Sequence, residues 1–243
     1  DLRPAGSSAA AGRLIFMLGA DKTRQLRRMA ERNGTTTFVV TLTLFNVLLS
    51  RLGKTDDITV ATPVSGRSHA DLEDQVGVFL NTLLLRTKVD AEDTFRALLQ
   101  QVKYNTIKDL ERQVYPYDLL VPELRPAADE QSPFHVGFTY SIKDQLDGSD
   151  ETDMEIEEYA TGFVMAKADL WMLTSESAGD ITCSFVFRTC LYRQDSIEIL
   201  RDRFLTLMNE ALTGYDKKIK ELDIRLAPEL VLEESKLNID FSF

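Results

Sequence analysis

The chain has 243 residues, 44% hydrophobic and 28% charged, which is enough apolar material for a substantial core in one large or two small domains. Its net charge of −11 and isoelectric point of about 4.8 argue against nucleic acid or an anionic membrane as partner, since each needs a basic face. Every apolar run is broken before the roughly 18 residues of a membrane-spanning helix, and the first residues lack the pattern of a signal peptide, so the expected location is the cytoplasm. The two cysteines, Cys183 and Cys190, and the two histidines, His69 and His135, make neither a disulfide framework nor a metal site; free thiols in a reducing compartment are expected.

Residues 1–12 are rich in Pro, Gly, Ser and Ala without periodicity and read as a linker or boundary. Gly12 to Leu18 is an apolar run expected as a buried strand. Asp21 stands where it would cap a helix over residues 22–33 that ends at Gly34. Arg24, Arg27, Arg28 and Arg32 share that helix's exposed face, read as solvated or as a contact for an acidic partner or phosphate. A second helix begins after the Thr35 to Thr37 cluster and runs to Leu52, where Gly53 stops it; its apolar residues cover most of the circumference, so it must be buried on most sides. Ile58 to Thr62 reads as an inner strand ended by Pro63, which has no N–H for the ladder. Together they make a compact α/β unit.

After a polar passage, a strand is expected from Val76 to about Val89. Gly77 suggests a close backbone approach there, and the Asn81 amide needs partners, either local backbone or a cleft. Residues 134–141 alternate, with Phe134, Val136, Phe138 and Tyr140 on one face and His135, Gly137, Thr139 and Ser141 on the other. The acidic stretch from Asp144 to Glu158 reads as a solvated connection. A strand containing Trp171 pairs with residues 182–188, and a helix over residues 194–212 carries the stripe of a helix laid on a sheet. Beyond Gly214 the chain is charged.

DDITVATPVSGR, VGVFLNTLLLR, the helix over residues 94–112 with RQVYPYDLL, QSPFHVGFTYS, KADLWMLTSES and FRTCLYRQDSIEILRDRFLTLMNEAL follow one another along nearly the whole chain. In this order they resemble the motifs of the C-terminal half of nonribosomal peptide synthetase condensation domains. The resemblance implies an α/β fold, more closely an α+β two-layer lobe like chloramphenicol acetyltransferase, with helices packed on a mixed β-sheet. It implies a linker at 1–12, the lobe at 13–213 and a tail toward the next module at 214–243. In such domains two lobes form a V, and carrier-protein domains bring donor and acceptor thioesters on phosphopantetheine arms into the tunnel between them. The acceptor amine then attacks the donor thioester to form an amide. The implied partners are an N-terminal lobe, both carrier proteins and an adenylation domain reached through the C-terminal linker; no cofactor is expected to bind directly.

The family's H-H-x-x-x-D-G motif is absent here, so no catalytic residue is expected in this chain and the chain alone is expected to be inactive. Arg67 matches the arginine that pairs with the motif's Asp, a role suited to a planar, permanently charged guanidinium; the local alternative is a bond to turn carbonyls or to Glu73. Asn81 and Thr82 match an element expected to shape the tunnel wall. Gln113 and Tyr115 to Asp118 match H-Q-D-Y-P-F-E, with Arg112, Val114 and Asp118 as departures and Pro116 pre-set for the first turn of a helix. Asp129 and Ser132 to Phe134 are what remains of a further element. His135, Thr139, Ser141 and Trp171 are the tunnel-lining or substrate-lining candidates, with Trp171 narrowing the acceptor side and a satisfied strand histidine as the plain reading of His135. Two other classes stay open: a related ester-forming or polyketide-associated acyltransferase lobe, and a non-catalytic scaffolding lobe.

Overall fold

The computed structural model describes residues 10–124, 134–142, 166–177 and 179–226. The acidic connection of residues 144–158, Asp129 with Ser132 and Pro133, the first nine residues of the proposed linker and the tail after residue 226 lie outside the described residues. In chain order the elements are β1 (Ala11–Met17), α1 (Ala20–Arg32), α2 (Thr37–Gly53), β2 (Asp57–Val64), β3 (Asn81–Lys88), α3 (Phe95–Glu111), α4 (Tyr117–Leu124), β4 (Val136–Ile142), β5 (Leu170–Ser177), β6 (Asp180–Arg188) and α5 (Gln194–Thr213). The six strands form one mixed sheet in the order β1-β6-β5-β4-β2-β3, with β4 parallel to both β5 and β2 and the other pairs antiparallel.

The centre of the packing is α2. Thr36 caps it by accepting from the Val39 N–H at 3.3 Å. Leu42, Leu44, Phe45, Val47 and Leu48 are fully buried, as the all-round apolar pattern requires. Thr41 and Thr43 are buried too, and their hydroxyls donate back to the carbonyls of Thr37 and Val39 at 2.8 and 2.7 Å. Around α2 lie α1, α3 and α5, and beneath it the inward residues Val60, Phe138, Met172 and Phe185 of four strands are fully buried. The Phe45 ring sits 6.1 Å from Phe138 and 6.3 Å from Phe185. Strand alternation turns the other set, Ile15, Met17, Thr139, Ser141, Trp171 and Ser184, to the face away from these helices. The result is two layers, as expected, with a polar and partly open outer sheet face.

Several expectations change. β1 is an edge strand with β6 as its single neighbour, so it is only half buried and leaves Ile15 and Met17 exposed. Gly19, not Asp21, occupies the cap position of α1. The left-handed residue that ends α2 is Lys54 rather than Gly53. β2 runs through Pro63, which pairs with Thr82 of β3, while the other neighbour reaches β2 only at Ala61–Gly137. β3 begins at Asn81, and Val76, Val78 and Leu80 are exposed in an extended lead-in with no strand partner. The packed body also runs past residue 213: Ile219, Leu222 and Ile224 are buried, and the Arg51 guanidinium donates to the carbonyls of Ile219 and Leu222 at 2.8 and 3.1 Å. Among the described residues no single helix is long and apolar enough to cross a membrane.

Arg27, expected on a solvated face, reaches Glu176 at the end of β5 at 2.6 Å. Thr37 donates to the same carboxylate at 3.1 Å, and so does the Tyr140 hydroxyl, joining α1, α2, β4 and β5 at one point. Burial raises the Glu176 carboxyl, but the hydrogen bonds from Tyr140, Arg27 and Thr37 and the charge of Arg27 together hold it below the usual range. Its stabilising contribution is therefore full above the ordinary carboxylate value and is lost as pH falls through the lowered one. Glu176→Gln should lower the melting temperature at neutral pH, and the gap to the parent should narrow as pH falls below the ordinary carboxylate range, through the lowered value at which Glu176 itself takes up a proton. Thermal melts between neutral and acidic pH check this; parallel curves would show that the carboxylate charge contributes nothing.

Candidate functional site

At the start of β3 the Asn81 side chain uses its whole hydrogen-bonding capacity on backbone. Nδ2 donates to the carbonyls of Gln113 and Tyr115, both at 2.7 Å, and Oδ1 accepts from the N–H groups of Thr82 and Tyr117, both at 2.9 Å. The Tyr117 N–H opens α4, so a side chain from β3 caps that helix. The Pro116 carbonyl accepts from Leu120 at 3.3 Å, which places Pro116 just before the first turn rather than within it. Asp118 stands in that turn as expected. Gln113 takes part through its main-chain oxygen.

The loop before β3 is held by Arg67. Its Nη1 donates to the carbonyls of Leu72 and Glu73, the latter at 3.3 Å, and Nη2 to Gln75 at 2.8 Å. The guanidinium also lies over the Phe79 ring, 4.4 Å from its centre. This is the local alternative, bonds to turn carbonyls. The tight approach assigned to Gly77 falls at Gly66, whose φ is +67° and where a Cβ would stand 1.8 Å from the Phe79 carbonyl oxygen. A cavity of about 320 Å³ opens between these parts, lined by Gly66, Phe79, Asn81, Gln113, Tyr117 and Asp118.

The second group lies on the outer sheet face. Trp171 is flat over Gly137, where a Cβ would come within 2.4 Å of the indole, and its Nε1 donates to Thr139 Oγ1 at 2.8 Å. Phe134 stands edge-on to Trp171 at 6.2 Å and to Tyr117 at 6.0 Å. Phe134 therefore leaves the face expected from the alternation, because β4 begins only at Val136. Its ring joins the Asn81 corner to the outer face through Tyr117. Farther along, Thr139, Ser141, Ser175, Ser184 and Arg13 line a cavity of about 290 Å³. The Ser141 hydroxyl donates to the Thr174 carbonyl at 3.4 Å, and Arg13 Nε donates to Ser184 Oγ at 3.4 Å.

His135 is half-exposed, with Nδ1 3.2 Å from Asp169, and Arg188 Nε lies 3.6 Å from the other Asp169 oxygen. The Asp169 and Leu170 N–H groups both donate to the His135 carbonyl. His135 thus meets a carboxylate and the entry of β5, one residue before β4 begins. His69 is exposed and accepts from the Asp71 N–H at 3.3 Å. Among the described residues no group of His, Cys, Asp or Glu is arranged to hold a metal, Cys183 is buried and Cys190 exposed. Burial pushes the Cys183 thiol up to about 12, so it is protonated at neutral pH.

Sequence reasoning missed Gly66, Phe79, Tyr117, Asp169 and Arg13 as parts of these surfaces. A signal existed for the first two: a glycine directly before Arg67, and the one aromatic in VGVFLNT. The two groups offer a backbone-clamped rim and a hydroxyl-rich face, which can position and enclose a substrate.

A family model described as Condensation domain matches residues 1–229. Tyrocidine synthase 3 of Brevibacillus parabrevis is 33% identical over 242 residues, covering 99% of this chain and 4% of that protein. Gramicidin S synthase 2 of Brevibacillus brevis is 31% identical over 249 residues, covering 99% of this chain and 5% of that protein. The crystal structure of the X-domain from teicoplanin biosynthesis superposes with a TM-score of 0.82 at 22% identity, covering 93% of this chain and 52% of that one. The chain thus spans a small fraction of the length of the curated relatives it matches.

Proposed function

Because the chain belongs to the condensation-domain family, we propose that it is the C-terminal lobe of a nonribosomal peptide synthetase condensation domain, an acyltransferase of the cytoplasm that joins a donor acyl or peptidyl thioester to an acceptor amine. What carries this reading is the family match over residues 1–229 on a chain that holds no H-H-x-x-x-D-G. Coverage of 52% of the solved X-domain chain agrees with one lobe of two. The proton-handling histidine and its Asp then come from an N-terminal lobe, and this chain supplies a wall of the tunnel.

In that role the outer sheet face, with Trp171 over Gly137 and the hydroxyls of Thr139 and Ser141, lies along the substrate path. The Asn81 clamp and the Arg67 loop form its rim. The phosphopantetheine arms of donor and acceptor carrier proteins enter from outside, and an adenylation domain follows in the same polypeptide. Three of the five Arg67 N–H donors are used within its loop, which leaves Nε and the second Nη2 hydrogen for a carboxylate of the companion lobe; any such pair adds to the bonds Arg67 makes within its loop.

The test uses carrier domains loaded with aminoacyl thioesters and mass spectrometry of the product. This chain alone should form no amide, whereas one polypeptide in which a condensation-family N-terminal lobe precedes it should. In the joined form Trp171→Ala should broaden the accepted acceptors. Amide formation by the chain alone, or none by the joined form, overturns the proposal.

A further inference from the structure

We propose that α1, α3 and α5 enclose a second binding site, on the helix side of the sheet, for a small polyphosphate anion. The inference is independent of the function proposed above. A cavity of about 460 Å³, within the size range of small-ligand pockets, is lined by Arg28 and Arg32 of α1, Arg96 of α3, Asn33, Leu212 and Tyr215. Arg28 and Arg32 are one helical turn apart and both exposed, so they share a face.

Neither has an acidic partner among the described residues, although the chain carries 39 acidic side chains against 28 basic ones. Other arginines are paired: Arg24 with Asp21 at 3.1 Å, Arg27 with Glu176 at 2.6 Å, Arg86 with Asp57 at 2.5 Å and Arg193 with Asp195 at 2.6 Å. A like-charge pair at this spacing destabilises a helix unless a counter-charge lies between the two.

The third guanidinium is held in place. Arg96 Nε is 2.8 Å from Asp216, and the group lies over the Tyr215 ring at 4.5 Å. It stands in the first turn of α3, the positive end of that helix. Asn33 closes the wall by accepting from Gln100 Nε2 at 3.3 Å and from the Tyr215 hydroxyl, while Lys103 donates to its carbonyl at 3.1 Å. Arg96 Nη2 also donates to Asp216 at 3.2 Å, so the open forks on this cavity are those of Arg28 and Arg32, with Nη1 of Arg96 beside them; they suit phosphate oxygens, which guanidinium binds bidentately, and the spread over two helices suits two phosphates rather than one.

The experiment is calorimetric titration of the chain with inorganic pyrophosphate at low salt, repeated with ADP and with oligoglutamate. Saturable one-to-one binding of pyrophosphate is expected, weakened about tenfold or more in Arg28→Gln/Arg32→Gln and unchanged in Lys54→Gln. The double variant should melt no lower than the parent, because it removes the like-charge pair, so weaker binding cannot be put down to unfolding. Binding of ADP as well would place the diphosphate on a nucleotide, and binding of pyrophosphate alone would make the free anion the ligand; both support the site. No saturable heat, equal affinity in the double variant, or saturable oligoglutamate binding that pyrophosphate does not displace would each overturn it, the last by making the face an acidic-protein contact.

Discussion

Asn81→Asp should destabilise the chain by about 2 kcal/mol at neutral pH, the cost of turning two well-made, partly buried donors into repulsive contacts. The substitution changes one atom, and the structure says which side of the amide it damages. Oδ1 keeps its acceptor role toward the N–H groups of Thr82 and Tyr117, so half of the clamp survives. Nδ2 becomes a second oxygen facing the carbonyls of Gln113 and Tyr115, each at 2.7 Å. A carboxylate there has no proton to offer. Protonation restores one donor, so the carboxyl of the variant should titrate above its ordinary range, and the deficit should shrink as pH falls through that raised value. Asn81→Ala should cost less than Asn81→Asp at neutral pH, because it leaves the backbone groups open to water without adding a charge. Urea unfolding of both variants against pH checks the order. An Asp variant as stable as the parent would mean that the 113–117 segment is not held by this side chain.

What could and could not be seen in the sequence follows from how far each partner lies along the chain. α2, the inward faces of β2, β5 and β6 and the stripe of α5 were legible, because burial imposes a period that adjacent residues display. The partners of Asn81 beyond its neighbour Thr82 were not, since they stand 32 to 36 residues away on a segment with no periodic signal of its own. The burial of Ile219, Leu222 and Ile224 was hidden by Lys217, Lys218, Lys220, Glu221 and Asp223 between and beside them. Those charges face outward: Lys218 and Lys220 both reach Glu92, at 2.9 and 2.6 Å, and Asp223 pairs with Arg225 at 2.7 Å. A short 3-10 turn, Ile219–Glu221, lets apolar and charged residues alternate without a helix or strand pattern. Phe134 was misplaced because the alternation was carried two residues past the start of its strand. The four-way meeting at Glu176 joins distant elements through one carboxylate, which no local pattern could announce.

The loop from Gly66 to Leu80 yields the second large effect, and it should appear in activity rather than in global stability. Gly66 and Arg67 both rest on Phe79: its carbonyl oxygen fills the space a Cβ at 66 would need, and its ring carries the Arg67 guanidinium. Gly66→Ala adds a methyl 1.8 Å from that oxygen on a backbone with φ +67°, a clash with main chain that no rotamer relieves. The loop's own contents limit the damage. Val76, Val78 and Leu80 are exposed, so the segment can open without uncovering the α2 core, and the cost to global stability cannot exceed the free energy that keeps the loop closed. Gly66→Ala should therefore leave the melting temperature nearly unchanged while amide exchange over residues 66–80 accelerates. If this loop is the rim of the condensation tunnel, the joined two-lobe enzyme should lose about tenfold or more in rate, the scale set by misplacing a positioning element by an ångström or so. Arg67→Lys should follow the same pattern more mildly, since an ammonium cannot span the carbonyls of Leu72, Glu73 and Gln75 with a planar fork. Faster exchange with an unchanged rate would separate the loop from the working surface and remove it from the proposed tunnel; unchanged exchange in Gly66→Ala would instead contradict the approach of Gly66 to Phe79.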